Sequence, residues 1–276
     1  NVTGKDNVYI GLNAGTGGTG NNSYNVGVGS SSLFAIVDGG YNTALGYNSG
    51  KALTTGDQNV FVGNAAGYAT TDVDKAVIIG DNAAIANMTS AADGTVAVGH
   101  KALTALTTGA RNIGIGYLAM QHADTATDCI AIGYQAMYDQ NVGGSGHAAD
   151  SDHNIAIGSN SMSGAWTDAK SESNVAIGSN TLDGDMAGAN YNTALGYNAL
   201  SAIVSGDANI GIGVYSAAAT TTGLNNIAIG SNDDASMGAL QTNTVGSFNI
   251  AIGTGALQTA NATTNDGTVA IGHLAG

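Results

Sequence analysis

Proline is absent from all 276 residues. At an average usage of about 5%, roughly a dozen would be expected. A chain whose backbone N–H groups are nearly all committed to ladders has no place for a residue that lacks one. Cysteine occurs once, at Cys129, so no disulfide can form within the chain. Positive charge is scarce: six Lys plus Arg stand against twenty acidic residues, nineteen of them Asp, for a net charge of −14. That balance disfavours nucleic acid, whose phosphates need clustered cations, and keeps like molecules apart. No apolar run approaches the ~20 residues of a membrane span, so the chain is not expected to be membrane-embedded. No Ser/His/Asp arrangement, phosphate loop or dinucleotide fingerprint appears. The calcium-binding nonapeptide of β-rolls is missing as well. An enzyme is not expected, and neither is a cofactor.

What is present is repetition. A five-residue phrase such as Asn-Ile-Ala-Ile-Gly at 154–158 recurs fifteen times, closing on glycines from Gly11 to Gly272. Seven of the fourteen intervals are 17 residues and the others run from 18 to 25. Self-similarity at such a period marks a solenoid. The expectation is an all-β fold, a parallel β-solenoid of about fifteen coils with a period of about 17 residues. It is expected as a single domain over 1–276, cut from a longer fibre protein.

Columns of the repeat carry the detail. The residue before the glycine is always Val, Ile or Leu, and the residue three before it is Val or Ile except at Thr43 and Thr193. Alternating β-branched residues make each copy a short strand. The residue between them is small and uncharged in most copies. It is Ala at Ala44, Ala97, Ala131, Ala156, Ala176, Ala194, Ala228, Ala251 and Ala270. Side chains alternate across a strand, so one column faces inward and the other outward. The sequence suggests the aliphatic columns inside, with the alanine row outside and covered by a second copy as an oligomer interface. Four before the glycine stands Asn in eleven copies, read as a corner residue whose amides stack in ladders. Cys129 occupies this column and reads as a small buried substitute. The rest of each coil is expected to hold a second, weaker strand and a turn.

Insertions lengthen the coil at 138–153, 162–173 and 232–247, and insertions in a solenoid form loops on one face, often the binding face. His147, Asp150, Asp152 and His153 are the only cluster of metal-ligand types. They are weak candidates, since no second shell is identifiable and solvated loop residues explain them better. Receptor-binding candidates are Tyr138, His147, His153 and the lone tryptophan, Trp166, set against the reading that Trp166 caps a local apolar cluster. Paired carboxylates at Asp72/Asp74, Asp150/Asp152, Asp183/Asp185 and Asp233/Asp234 are what a glycosidase needs, yet all stand in turn sequences.

The copies Asn-Val-Ala-Ile-Gly-Ser-Asn-Thr-Leu (174–182), Asn-Ile-Ala-Ile-Gly-Ser-Asn-Ser-Met (154–162) and Asn-Thr-Ala-Leu-Gly-Tyr-Asn-Ala-Leu (192–200) resemble the YadA-like head repeats of trimeric autotransporter adhesins. They are even more similar to the repeats of bacteriophage tail fibres. The resemblance spans the chain, although the bacterial coil is a few residues shorter. It implies a left-handed parallel β-roll, three chains side by side as a homotrimer, an extracellular location on a cell surface or virion, and attachment to a host glycan or protein receptor. A self-assembling structural spacer without binding activity is the main rival reading, and a trimeric polysaccharide depolymerase is the third.

Overall fold

The computed structural model describes residues 4–17, 20–138, 151–166, 169–231, 237–258 and 266–276. They form two compact units, Asn1–Cys129 and Ile130–Gly276. The first contains β1 (Val8–Ile10), β2 (Val26–Val28), β3 (Thr43–Leu45), β4 (Val60–Val62), β5 (Val77–Ile79), β6 (Val96–Val98) and β7 (Ile113–Ile115). The second contains β8 (Ile130–Ile132), β9 (Ile155–Ile157), β10 (Val175–Ile177), β11 (Thr193–Leu195), β12 (Ile210–Ile212), β13 (Ile227–Ile229), β14 (Ile250–Ile252) and β15 (Val269–Ile271). Within each unit, consecutive strands pair in parallel and without slip. Ala44 sits between Gly27 and Phe61, and Ala194 sits between Ala176 and Gly211. The fold is a parallel β-solenoid with one three-residue strand per repeat.

The three residues before each glycine are the strand, and the glycine ends it. Gly46 has φ +140°, and a Cβ added there would lie 2.3 Å from the carbonyl oxygen of Gly63. Only glycine fits a corner where successive backbones come this close. Beyond it no second strand forms among the described residues, contrary to expectation; one 3-10 turn, Ser90–Ala92, is the only other regular element. The physical reason is a run of left-handed residues. The second and fourth positions after the glycine have positive φ, as at Asn48 (56°), Asn198 (53°), Leu103 (52°) and Leu200 (51°). These bends break an extended run, yet the backbone stays satisfied from coil to coil. Leu200 N donates to Ser216 O at 3.0 Å and Ala202 N to Ala218 O at 3.1 Å.

Orientation of the strands reverses the expectation. The alanine row lies inside: Ala44, Ala97, Ala131, Ala156, Ala176, Ala194, Ala228 and Ala251 are fully buried by their own chain, and Ala270 is 7% exposed. The Val, Ile and Leu residues on either side of each alanine are half-buried or exposed. Space explains the reversal. The inner side of each strand must also house the Asn column and the bulky residues at the left-handed bend, including Leu103, Met120, Met162, Leu182 and Leu200, all fully buried. Opposite such residues only Ala or Gly fits. Where the strand carries a large inner residue, the bend shrinks in exchange. Phe61 is paired with Gly67, whose added Cβ would come within 2.4 Å of the ring, and Tyr9 is paired with Gly15 in the same way at 2.5 Å.

The Asn column forms the expected ladder. Asn174, Asn192 and Asn209 are fully buried. In these coils the side-chain carbonyl accepts from the backbone N–H of the Asn one coil on, at 2.9 Å for Asn192 to Asn174 and for Asn209 to Asn192. Each side-chain amide closes its own coil, Asn192 onto Gly206 O and Asn209 onto Gly223 O, both at 2.8 Å. Cys129 continues the column in the first unit, buried, with its N–H donating to Asn112 Oδ1 at 3.0 Å.

Candidate functional site

The outward columns make a continuous apolar face on each unit. In the first unit they run from Val8 and Ile10 to Ile113 and Ile115, and in the second from Ile130 and Ile132 to Val269 and Ile271. Neither column contains a charged residue, although the chain carries −14. Leu45 is 40% exposed, Ile115 37% and Leu195 45%. Fourteen outward positions in the first unit, at on the order of 50 Å² each, expose roughly 700 Å². That exceeds the largest apolar patch of a typical monomer, ~300–600 Å². It is close to the ~800 Å² each partner contributes to a standard interface.

Polar and aromatic residues border this face. Arg111 grips Asp128 through two bonds of 2.6 Å. Tyr24 stacks on Tyr41 with centroids 4.9 Å apart. On the other border, Asn64 Nδ2 donates to Asp81 Oδ1 at 2.6 Å, His100 Nε2 lies 3.4 Å from Asp81 Oδ2, and the His100 ring stacks on Tyr117 at 5.1 Å. These pairs follow the strand spacing of ~4.8 Å, which brings equivalent residues of successive coils into contact.

The candidates named from sequence fare unevenly. The nine alanines cannot form an intermolecular interface, because the solenoid's own interior already covers them. Trp166 is 1% exposed, so it cannot serve as an anchor displayed to a receptor; its Nε1–H has no hydrogen-bond partner. Tyr138 and Asp152 are half-buried, and His153 is exposed at a left-handed corner with φ 61°. His147, Asp150, Asp233 and Asp234 lie outside the described residues. Among the described residues, no group of three or more His, Cys, Asp or Glu side chains is placed so that it could hold a metal ion. No helix there is long and apolar enough to cross a membrane.

Several carboxylates are occupied with backbone. Asp57 Oδ1 accepts from Gly40 N at 2.6 Å, Asp74 Oδ1 from Asp57 N at 2.7 Å, and Asp93 Oδ1 from Asp74 N at 2.8 Å. Asp185 Oδ1 accepts from Ala165 N at 2.9 Å. These are turn fixtures joining one coil to the next. Asp183 differs: burial pushes its carboxyl up from 3.8 to about 6, opposed only by a hydrogen bond to its own backbone.

The outward aliphatic face is the feature that reading the sequence placed wrongly. A signal was present: the buried Asn column stands two residues from the alanine column, and residues two apart share a face. No family model, curated protein or solved structure matches this chain.

Proposed function

We propose that this chain is a non-enzymatic segment of an extracellular adhesive fibre, in which parallel copies, three to an assembly, pack side by side through the outward Val/Ile/Leu columns. The insertion loops are left free to meet a cell-surface glycan or protein receptor. The observation that carries the assembly is the charge-free apolar face, too large to stand open to water on a monomer. Burying it removes roughly 700 Å² per copy in the first unit alone, worth on the order of 15 kcal/mol at ~25 cal/mol/Å² before the costs of association. The cell-attachment role rests on the resemblance of the repeats to adhesin heads and phage tail fibres. The phage or bacterial setting follows from the same likeness.

Light scattering on the purified chain tests the assembly: a mass of three chains is expected, and a monomer at micromolar concentration would overturn it. A glycan array then tests attachment, with loss of binding expected on removing the eight residues 141–148, which leaves a coil of 17. A second reading, a structural spacer, is favoured by the burial of Trp166, which takes the one tryptophan away from any receptor. It predicts a trimer that binds nothing on the array.

A further inference from the structure

The apolar face has a difficulty that its uniformity creates. An aliphatic residue recurs at nearly every outward position, so sliding one copy along another by a single strand sets aliphatic side chain on aliphatic side chain again. A uniform seam holds copies together without saying at which height, as an all-apolar seam does in coiled coils.

Two strands break the uniformity, one in each unit. The sequence Tyr-Asn-Thr-Ala-Leu-Gly-Tyr-Asn occurs at 41–48, carrying β3, and identically at 191–198, carrying β11. Thr43 and Thr193 are the only members of their outward column that are not Val or Ile, and Leu45 and Leu195 are the only leucines in theirs. These are also the only two strands with tyrosines at both borders: Tyr41 and Tyr47 are 61% and 58% exposed, Tyr191 and Tyr197 66% and 44%. The interior gives no reason for the threonines. Both are half-buried on the outer face, have nearly the shape of valine, and among the described residues neither hydroxyl has a hydrogen-bond partner.

We infer that the Thr43 and Thr193 hydroxyls fix the axial register at which copies of this chain meet. The inference rests on the assembly proposed above. When parallel copies sit level, Thr43 faces Thr43 and each hydroxyl finds a donor or acceptor in its counterpart. A slip of one strand sets Thr43 against Val26 or Val60, and Thr193 against Val175 or Ile210. The hydroxyl is then covered and unpaired, which disfavours the slipped state by roughly tenfold to a hundredfold per residue.

The test measures register separately from mass. Ser159 is exposed, so Ser159→Cys in a Cys129→Ala background carries a nitroxide label, and pulsed electron resonance reads the distances between copies. The parent face should give one distance. Thr43→Val with Thr193→Val should keep the fold by circular dichroism and the mass by light scattering. It should spread the distances over several values, with slipped populations rising at least tenfold. Thr43→Ser with Thr193→Ser should restore the single distance. A single distance in the valine variant, or several in the parent, overturns the inference while leaving the assembly intact. A monomeric parent overturns both.

Discussion

Reciprocal size is the rule inside the coil. Phe61 is admitted because Gly67 and Gly50 leave room for its ring, and Gly211 is required because Leu200 fills the space beside it, its Cγ lying 2.9 Å from where a Cβ would stand. Gly67→Ala should destabilise the protein by about 1–3 kcal/mol through overpacking. Phe61→Ala should cost about 3–5 kcal/mol by leaving a cavity. Phe61→Ala with Gly67→Ala fills part of that cavity, and thermal melts should show the pair costing clearly less than the sum of the single changes. This exchange was legible in the sequence, since Tyr9/Gly15, Phe61/Gly67 and Ile78/Ala84 are each six residues apart, but strand alternation alone does not say which face is inner.

The other residue-scale prediction concerns Asp183. Its native carboxyl titrates near 6 against 3.8 for the unfolded chain. Between those values the native state holds more protons, so stability falls as pH rises through this window. The residue keeps partial contact with solvent, so the slope is shallow. Asp183→Asn should flatten the melting temperature between pH 4 and 6. A wild-type melting temperature that rises over that interval would contradict the assignment.

At the scale of the element, a strand of three residues has little stability of its own. What holds it is the Asn beside it, which ties backbone to backbone both within a coil and between coils. Asn209→Ala removes the acceptor of Asn226 N and the donor to Gly223 O, both buried. A loss of about 1–3 kcal/mol for each of the two orphaned groups follows, measurable by urea denaturation, whereas Asn48→Ala at the half-buried outer corner orphans neither and should cost only the ~1–2 kcal/mol of its left-handed backbone. The strands and this ladder were readable from the columns because both depend on side-chain chemistry at fixed spacing. The bend was not: Leu103, Met120 and Leu200 adopt positive φ, which leucine and methionine rarely do, so nothing in their identity announces a turn. Packing of these large side chains into the core outweighs the ~1–2 kcal/mol each such residue costs.

For the molecule as a whole, the two governing facts are a charge of −14 and an apolar face without charge. Repulsion between copies is long-ranged and weakened by salt, while burial of the face is short-ranged. Raising salt from ~0.02 to ~0.5 M should therefore tighten assembly. Sedimentation equilibrium over that range is the measurement, and looser assembly at high salt would point away from the apolar face. Ile115→Lys with Ile177→Lys should lower the mass to that of one chain while leaving circular dichroism unchanged, because both residues are solvent-facing in the single chain. Charge and repeat length were plain in the sequence. The outward aliphatic face was not, because burial of the alanines depends on the width of the coil, which no single column reports.

The unslipped pairing of equivalent positions also bears on how such a chain changes over generations. Removing 197–213 would join β11 directly to β13, setting Ala194 beside Ala228 with their asparagines still aligned, and the shortened chain should keep its circular dichroism per residue. Recombination between repeats can thus lengthen or trim the protein in whole steps, leaving every surviving neighbour with familiar chemistry. The number of coils becomes a trait that selection can adjust without redesigning the interior.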